Sequence, residues 1–140
     1  MTRRVVSVEL DDQLSTVKEI FEQVKFRHLL VIEEGKLFGV VSDRDLLKAI
    51  SPNIGTSRES NVDLATLKKR VHQIVSRNPI TLPPTASVLE AITLFNTHSV
   101  SCIPVVDDQN RALGILSWRD ILRALGEHPE QAPRLLAVDD

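Results

Sequence analysis

The chain has 140 residues, 42% of them hydrophobic and 26% charged, which is the length and balance of one folded unit and excludes intrinsic disorder or a collagen-like fibre. Its 17 basic and 19 acidic side chains leave a net charge of -2, without the basic field of a general nucleic-acid binder, and the 4% aromatic content leaves few platforms for stacking single strands. The single cysteine, Cys102, excludes an intrachain disulfide and multi-cysteine zinc sites, and no apolar run is long enough to span a membrane, so we expect a cytoplasmic protein, neither exported nor membrane-bound.

A short extended segment, Val5 to Val8, comes first. The helix after it carries Leu14, Val17, Ile20, Phe21 and Val24 at the three- and four-residue spacing of one helical face. Two apolar strands follow, Leu29 to Ile32 and Leu37 to Val41, joined through a turn at Gly35 in the manner of a hairpin. A second helix runs from about Asp43 to Ile50. The turn formers of Ser51 to Ser60 predict a loop, and Leu64, Leu67, Val71 and Ile74 predict one linking helix starting near Asn61 or Asp63. Lys68-Lys69-Arg70 within it is read as a solvated face rather than a phosphate patch, because adjacent helical residues point in different directions.

The same order then returns. Ile80 to Leu82 is extended; Ser87 and Glu90 stand at capping-box spacing before a helix bearing Val88, Ala91, Ile92, Leu94 and Phe95. Strands at Ile103 to Val106 and Ala112 to Leu116 flank a turn one residue longer than its counterpart, with Gln109-Asn110 answering Gly35. A closing helix from about Trp118 to Leu125 ends at Gly126. The chain is therefore a duplication, in which Gly39-Val40-Val41-Ser42-Asp43-Arg44-Asp45 recurs as Gly114-Ile115-Leu116-Ser117-Trp118-Arg119-Asp120.

These signals predict an α/β (α+β) fold of two β-α-β-β-α repeats packed as one module about a pseudo-two-fold axis. Residues 1–55 form the first repeat, 56–75 the linking loop and helix, 76–127 the second repeat and 128–140 a loosely ordered tail. The closing helices are apolar on more than one side, through Leu46, Leu47 and Ile50 in one and Trp118, Ile121 and Leu122 in the other, which predicts a homodimer.

The candidate chemistry lies at the doubled strand-to-helix junction, Ser42 with Asp45 and Ser117 with Asp120. Two readings stand side by side. Ser-x-x-Asp is a capping box in its own right; the same geometry also offers amides and a hydroxyl to a phosphate, and a carboxylate to both hydroxyls of a ribose, with Arg44 and Arg119 beside it. Elsewhere, His28, His72, His98 and His128 have no zinc-ligand spacing, and Cys102 in an apolar strand is read as an inert thiol. Trp118, on an apolar helix, is read as core or interface.

The paired copies resemble CBS motifs, the regulatory repeat named after cystathionine beta-synthase. The family's Gly-hydrophobic-x-Ser/Thr-x-x-Asp pattern is matched by Gly39, Val40, Ser42 and Asp45 and again by Gly114, Ile115, Ser117 and Asp120. Its hydrophobic-Pro-Val-Val-Asp strand is matched by Ile103-Pro104-Val105-Val106-Asp107, whereas the first copy has Leu30 in place of the proline. The resemblance covers about residues 2–50 and 74–126 and implies a non-enzymatic CBS-pair module that binds AMP, ADP, ATP or S-adenosylmethionine in clefts between the repeats, needs no cofactor and signals to a regulated partner protein.

Carried over by position, one cleft uses Asp45, Ser42 and Val40, with Arg44, Arg27 and His28 toward the phosphates and Ile80, Val100 and Ser101 around the base. Its counterpart uses Asp120, Ser117, Ile115 and Arg119, with Val6, Phe26 and Arg27 around the base. Ser101 and Cys102 there take the places of Arg27 and His28, so we expect the Asp45 cleft to hold phosphorylated ligands more tightly. The alternative function is a structural dimerisation or interaction protein with empty clefts, in which both Ser-x-x-Asp pairs only cap helices.

Overall fold

The computed structural model describes residues 6–128 and 130. Strand β1 (Ser7–Val8) is followed by α1 (Leu14–Gln23), the hairpin β2 (His28–Glu33) and β3 (Lys36–Ser42), and α2 (Asp43–Ala49). A linking region with α3 (Asn61–Ala65) leads to β4 (Ser76–Arg77), then α4 (Val88–Thr97), the hairpin β5 (Cys102–Val106) and β6 (Ala112–Ser117), and α5 (Trp118–Glu127). Among the described residues no helix is long and apolar enough to cross a membrane.

The duplication extends to backbone detail. In the first repeat β1 runs parallel to β2, with Val8 opposite Val31; in the second the extended segment shrinks to a single parallel bridge at the equivalent pair, Leu82 and Val105. Both hairpins also carry a register shift at the same place, between Val31 and Ile32 and between Val105 and Val106. The first hairpin turns through Glu34 and Gly35, both at positive φ (50° and 77°), the geometry of a two-residue hairpin turn.

Each repeat buries its own core. Val8, Leu14, Val17, Leu29, Val31, Val41, Leu46 and Val71 close the first, and Leu82, Ala91, Ile103 and Ile121 the second. A third cluster joins them: Leu30 and Leu37 of the first repeat pack with Val106 of the second, flanked by Val40 and Ile115. The longer second turn adds polar pairing across the same junction, since Asn110, at φ 60°, accepts from the Leu37 amide (2.9 Å) and donates from Nδ2 to the Leu37 carbonyl (3.0 Å).

Four details differ from the pattern-based expectation. The linking helix is not continuous: after α3 and two 3-10 turns, Thr66–Lys68 and Val71–Gln73, the intervening Lys69 and Arg70 are extended. The cause is pairing with the loop before α1, where the Leu14 amide donates to the Lys69 carbonyl and the Val71 amide to the Asp12 carbonyl, which drops Val71 into the first core. Lys69 and Arg70 instead hydrogen-bond backbone carbonyls of Ala49 and Asp11. Helix α5 passes through Gly126 to Glu127, and Ser87 accepts from the Glu90 amide without the reciprocal half of the box. The tail expectation, apart from residues 128 and 130, and Val5 lie outside the described residues.

Strand β4 has no counterpart in the sequence pattern. It pairs antiparallel with β3, so the segment just ahead of the Leu82 bridge completes the sheet of the first repeat. The approach is close at Gly39, where a Cβ would collide with the Ser76 carbonyl oxygen and stand 2.5 Å from Val75 Cγ2. Gly39→Ala should therefore destabilise the fold by about 1–3 kcal/mol through overpacking. Gly126→Ala, in a helix with nothing within 4 Å of a new Cβ, should stabilise it by up to about 1 kcal/mol. Urea unfolding of the two variants should show midpoints moving in opposite directions.

Candidate functional site

The hairpin register builds the site. His28 lies opposite Ser42 in the first repeat and Cys102 opposite Ser117 in the second, so the segment entering each hairpin sits beside the helix that leaves it. Both capping boxes form. Ser42 donates its amide to Asp45 Oδ2 (2.9 Å) and accepts from the Asp45 amide (3.1 Å); Ser117 and Asp120 repeat this at 2.8 and 3.2 Å. Capping uses one oxygen of each carboxylate, and among the described residues Oδ1 of each has no hydrogen-bond partner. The capping and binding readings are thus compatible rather than exclusive.

The two junctions differ at the next amide. The Asp43 amide donates to the Arg27 carbonyl (2.9 Å), whereas among the described residues the equivalent Trp118 amide has no backbone acceptor. Between the repeats lies a cavity of about 480 Å³. Its walls bring together Phe26, Arg27, His28, Ser42 and Arg44 of the first repeat with Ser101, Ile115, Ser117, Arg119 and Asp120 of the second. Val6, Val40, Asp45, Ile80 and Val100 do not line it. Val6 packs on the first core, Val40 on the inter-repeat cluster, and Asp45 is half-buried at its cap.

This arrangement removes the basis for ranking the clefts by charge. Ser101 and Cys102 do occupy the places of Arg27 and His28, but the repeats face one another so closely that Arg27 and His28 line the same cavity as Asp120. Lys25, Asp43, Cys102 and Trp118 line it as well. The basic run Lys25-Phe26-Arg27-His28 before β2 was a usable signal for Lys25; nothing in the pattern marked Asp43. Trp118 is 51% exposed and belongs to none of the apolar clusters of described residues, so it forms part of the cavity wall and not core.

Electrostatics separate the polar groups by role. Burial pushes the Cys102 thiol up to about 12, leaving it protonated and a poor nucleophile at neutral pH. Burial also lowers the His28 pKa from its ordinary 6.5, an effect opposed by Asp43 and Asp45 and reinforced by Arg27. His28 is therefore neutral at pH 7 and not the standing phosphate cation expected of it; its Nε2 instead meets Ser101 Oγ at 3.1 Å, a bond between repeats.

The profile of the CBS domain family matches residues 1–52 and 71–127, and the chain belongs to that family. A CBS domain-containing protein of Dictyostelium discoideum is 29% identical over 135 residues, covering 95% of this chain and 92% of its own. Three other curated relatives are longer, and the chain spans only 23% to 46% of their lengths. Among solved structures, the CBS domain pair of protein MJ0100 in complex with 5′-methylthioadenosine and S-adenosyl-L-methionine superposes with a TM-score of 0.73 at 26% identity, over 91% of this chain and 93% of that one. CBSX2 in complex with AMP does so with a TM-score of 0.75 at 25% identity, over 92% and 94%.

Unfolding returns His28 to its ordinary pKa of 6.5, so between that value and its lowered folded value the unfolded chain binds the extra proton. Stability associated with neutral His28 is present above pH 6.5 and lost as pH falls through the folded pKa. In urea titrations from pH 7.5 to 5, run at intervals on wild type and His28→Gln, the variant should lose less stability on acidification; equal losses would contradict the assignment.

Proposed function

We propose that this chain is a regulatory module that senses an adenine nucleotide or adenosyl ligand between its two repeats and passes the signal to a partner protein. The observation that carries this reading is the inter-repeat cavity, where a carboxylate with an uncommitted oxygen, Asp120, stands with Arg27, Arg44 and Arg119 and the apolar Phe26 and Ile115. Each part has a matching ligand group. Asp120 suits ribose hydroxyls, the guanidiniums suit phosphate, and Phe26 and Ile115 suit the flat apolar face of a base. The 5′-methylthioadenosine, S-adenosyl-L-methionine and AMP held by structurally similar CBS pairs support the same ligand class.

The role is binding and not turnover, with no cofactor required, in keeping with a site whose one thiol stays protonated. Because the walls come from both repeats, a ligand favours whichever relative arrangement of the repeats fits it best, and the response is limited by its difference in affinity for the arrangements. We further propose a homodimer that uses the closing helices in the cytoplasm. The equivalent Leu47 and Leu122 are 68% and 56% exposed, and Leu89 on α4 is 66% exposed. Those same leucines favour the second reading, an interaction protein with empty clefts.

Titration calorimetry with AMP, ADP, ATP, S-adenosylmethionine and a dinucleotide separates the two readings. Saturable heat with at least one adenosyl compound is expected, and silence with all of them favours the scaffold. Asp120→Asn retains a cap acceptor but loses a charge-assisted hydrogen bond, a change of about 1.5–3 kcal/mol or roughly ten- to hundredfold in affinity. Sedimentation of the same samples should report a dimer mass.

A further inference from the structure

We propose that His28 is a proton-linked specificity residue of the inter-repeat cavity: it lets the cavity favour anionic over uncharged adenosyl ligands, and the preference grows as pH falls. The ligand class rests on the sensing reading; the inference concerns how this one side chain ranks members of that class.

Its placement carries the inference. As the first residue of β2, opposite Ser42, His28 has its backbone fixed by the hairpin at the point where the strand enters the cavity wall. Its Nε2 meets Ser101 Oγ at 3.1 Å across the junction, so the opposite repeat holds the ring against the cavity. The side chain is half-buried there, and charging it gives up hydration that the surrounding protein must replace.

The groups around it are of both signs. Its own segment supplies Lys25 and Arg27, α2 supplies Asp43, Arg44 and Asp45, and the second repeat supplies Arg119, Asp120 and the protonated thiol of Cys102. Ser42, across the hairpin, is uncharged. Asp43 and Asp45 favour the imidazolium, burial and Arg27 oppose it, and burial prevails.

An anion in this space adds to the two carboxylates and draws a proton onto the ring. Protonation preserves the contact between repeats, because the imidazolium Nε2–H donates to Ser101 Oγ and frees the hydroxyl hydrogen for another acceptor. Adenosine, by contrast, buries the ring further without adding charge, which keeps it neutral. The anion-bound chain therefore holds more protons at His28 than the free chain does. Affinity for an anion rises as pH falls, by at most about tenfold per pH unit for one linked proton, whereas affinity for adenosine does not rise. The device belongs to one repeat only, since the equivalent Cys102 stays protonated and has no charge to offer.

The test measures ADP and adenosine affinities calorimetrically from pH 7.5 to 5, on the whole wild-type chain and on His28→Gln. Taking the ratio of the two proteins' ADP affinities cancels the titration of the ADP phosphates themselves. On acidification the wild-type to variant ratio should rise about three- to tenfold for ADP and stay flat or fall for adenosine. The His28 imidazole resonance of the wild type, assigned through its backbone, should titrate at higher pH with ADP bound than without, a readout that needs no variant. An equal pH dependence in both proteins, an equal rise for adenosine, or a His28 titration that ADP leaves unmoved overturns the proposal and spares the sensing reading. Binding of neither ADP nor adenosine at any pH defeats the sensing reading and the proposal with it.

Discussion

The contact on which the rest depends is the apolar junction between repeats, where Leu30 and Leu37 meet Val106 beside Val40 and Ile115. Neither repeat can bury these side chains alone. Burying each of the large ones is worth about 1.5–3 kcal/mol, enough to make the relative placement of the repeats part of the fold and not a loose association. Strand β4 and the Asn110 bridge to Leu37 reinforce the same placement with backbone pairing. Once the junction closes, the two strand-to-helix turns must face one another, and the space between them is the cavity.

Within that frame a single local motif serves two ends. Ser-x-x-Asp satisfies helix-end amides that would otherwise lack partners, and it uses only one carboxylate oxygen to do so. The second oxygen is available for a ligand without loss of the cap. Differences between the copies then come from what surrounds the motif: Arg27 occupies the Asp43 amide in the first repeat, while the Trp118 amide in the second has no such backbone partner among the described residues.

Much of this was legible in the sequence because it depends on local pattern. Apolar periodicity located α1 and α4, short apolar runs flanking turn residues located both hairpins, and the duplicated Gly-x-x-Ser-x-x-Asp located both caps. The parts that were not legible depend on contacts between distant segments. Lys69 and Arg70 read as helical until the loop before α1 claims their backbone, and Ser76-Arg77 has no strand signature apart from the edge of β3 that it completes. The charge ranking of the clefts loses its basis for the same reason: matching Ser101 to Arg27 compares positions along the chain, whereas the cavity is lined by both at once. Gly39 shows the converse case, since the glycine is visible in the sequence and its reason, the close approach of β4, is not.

On the proposed function, a phosphorylated adenosyl ligand lies across the junction of the two repeats and not wholly within one half. A crystal structure of the chain grown with ADP tests it most directly. The expected result is a nucleotide with its ribose hydroxyls on the Asp120 carboxylate and its phosphates within hydrogen-bond distance of both Arg44 and Arg119. A nucleotide whose phosphates contact cations of only one repeat, or one seated away from this cavity, would contradict it.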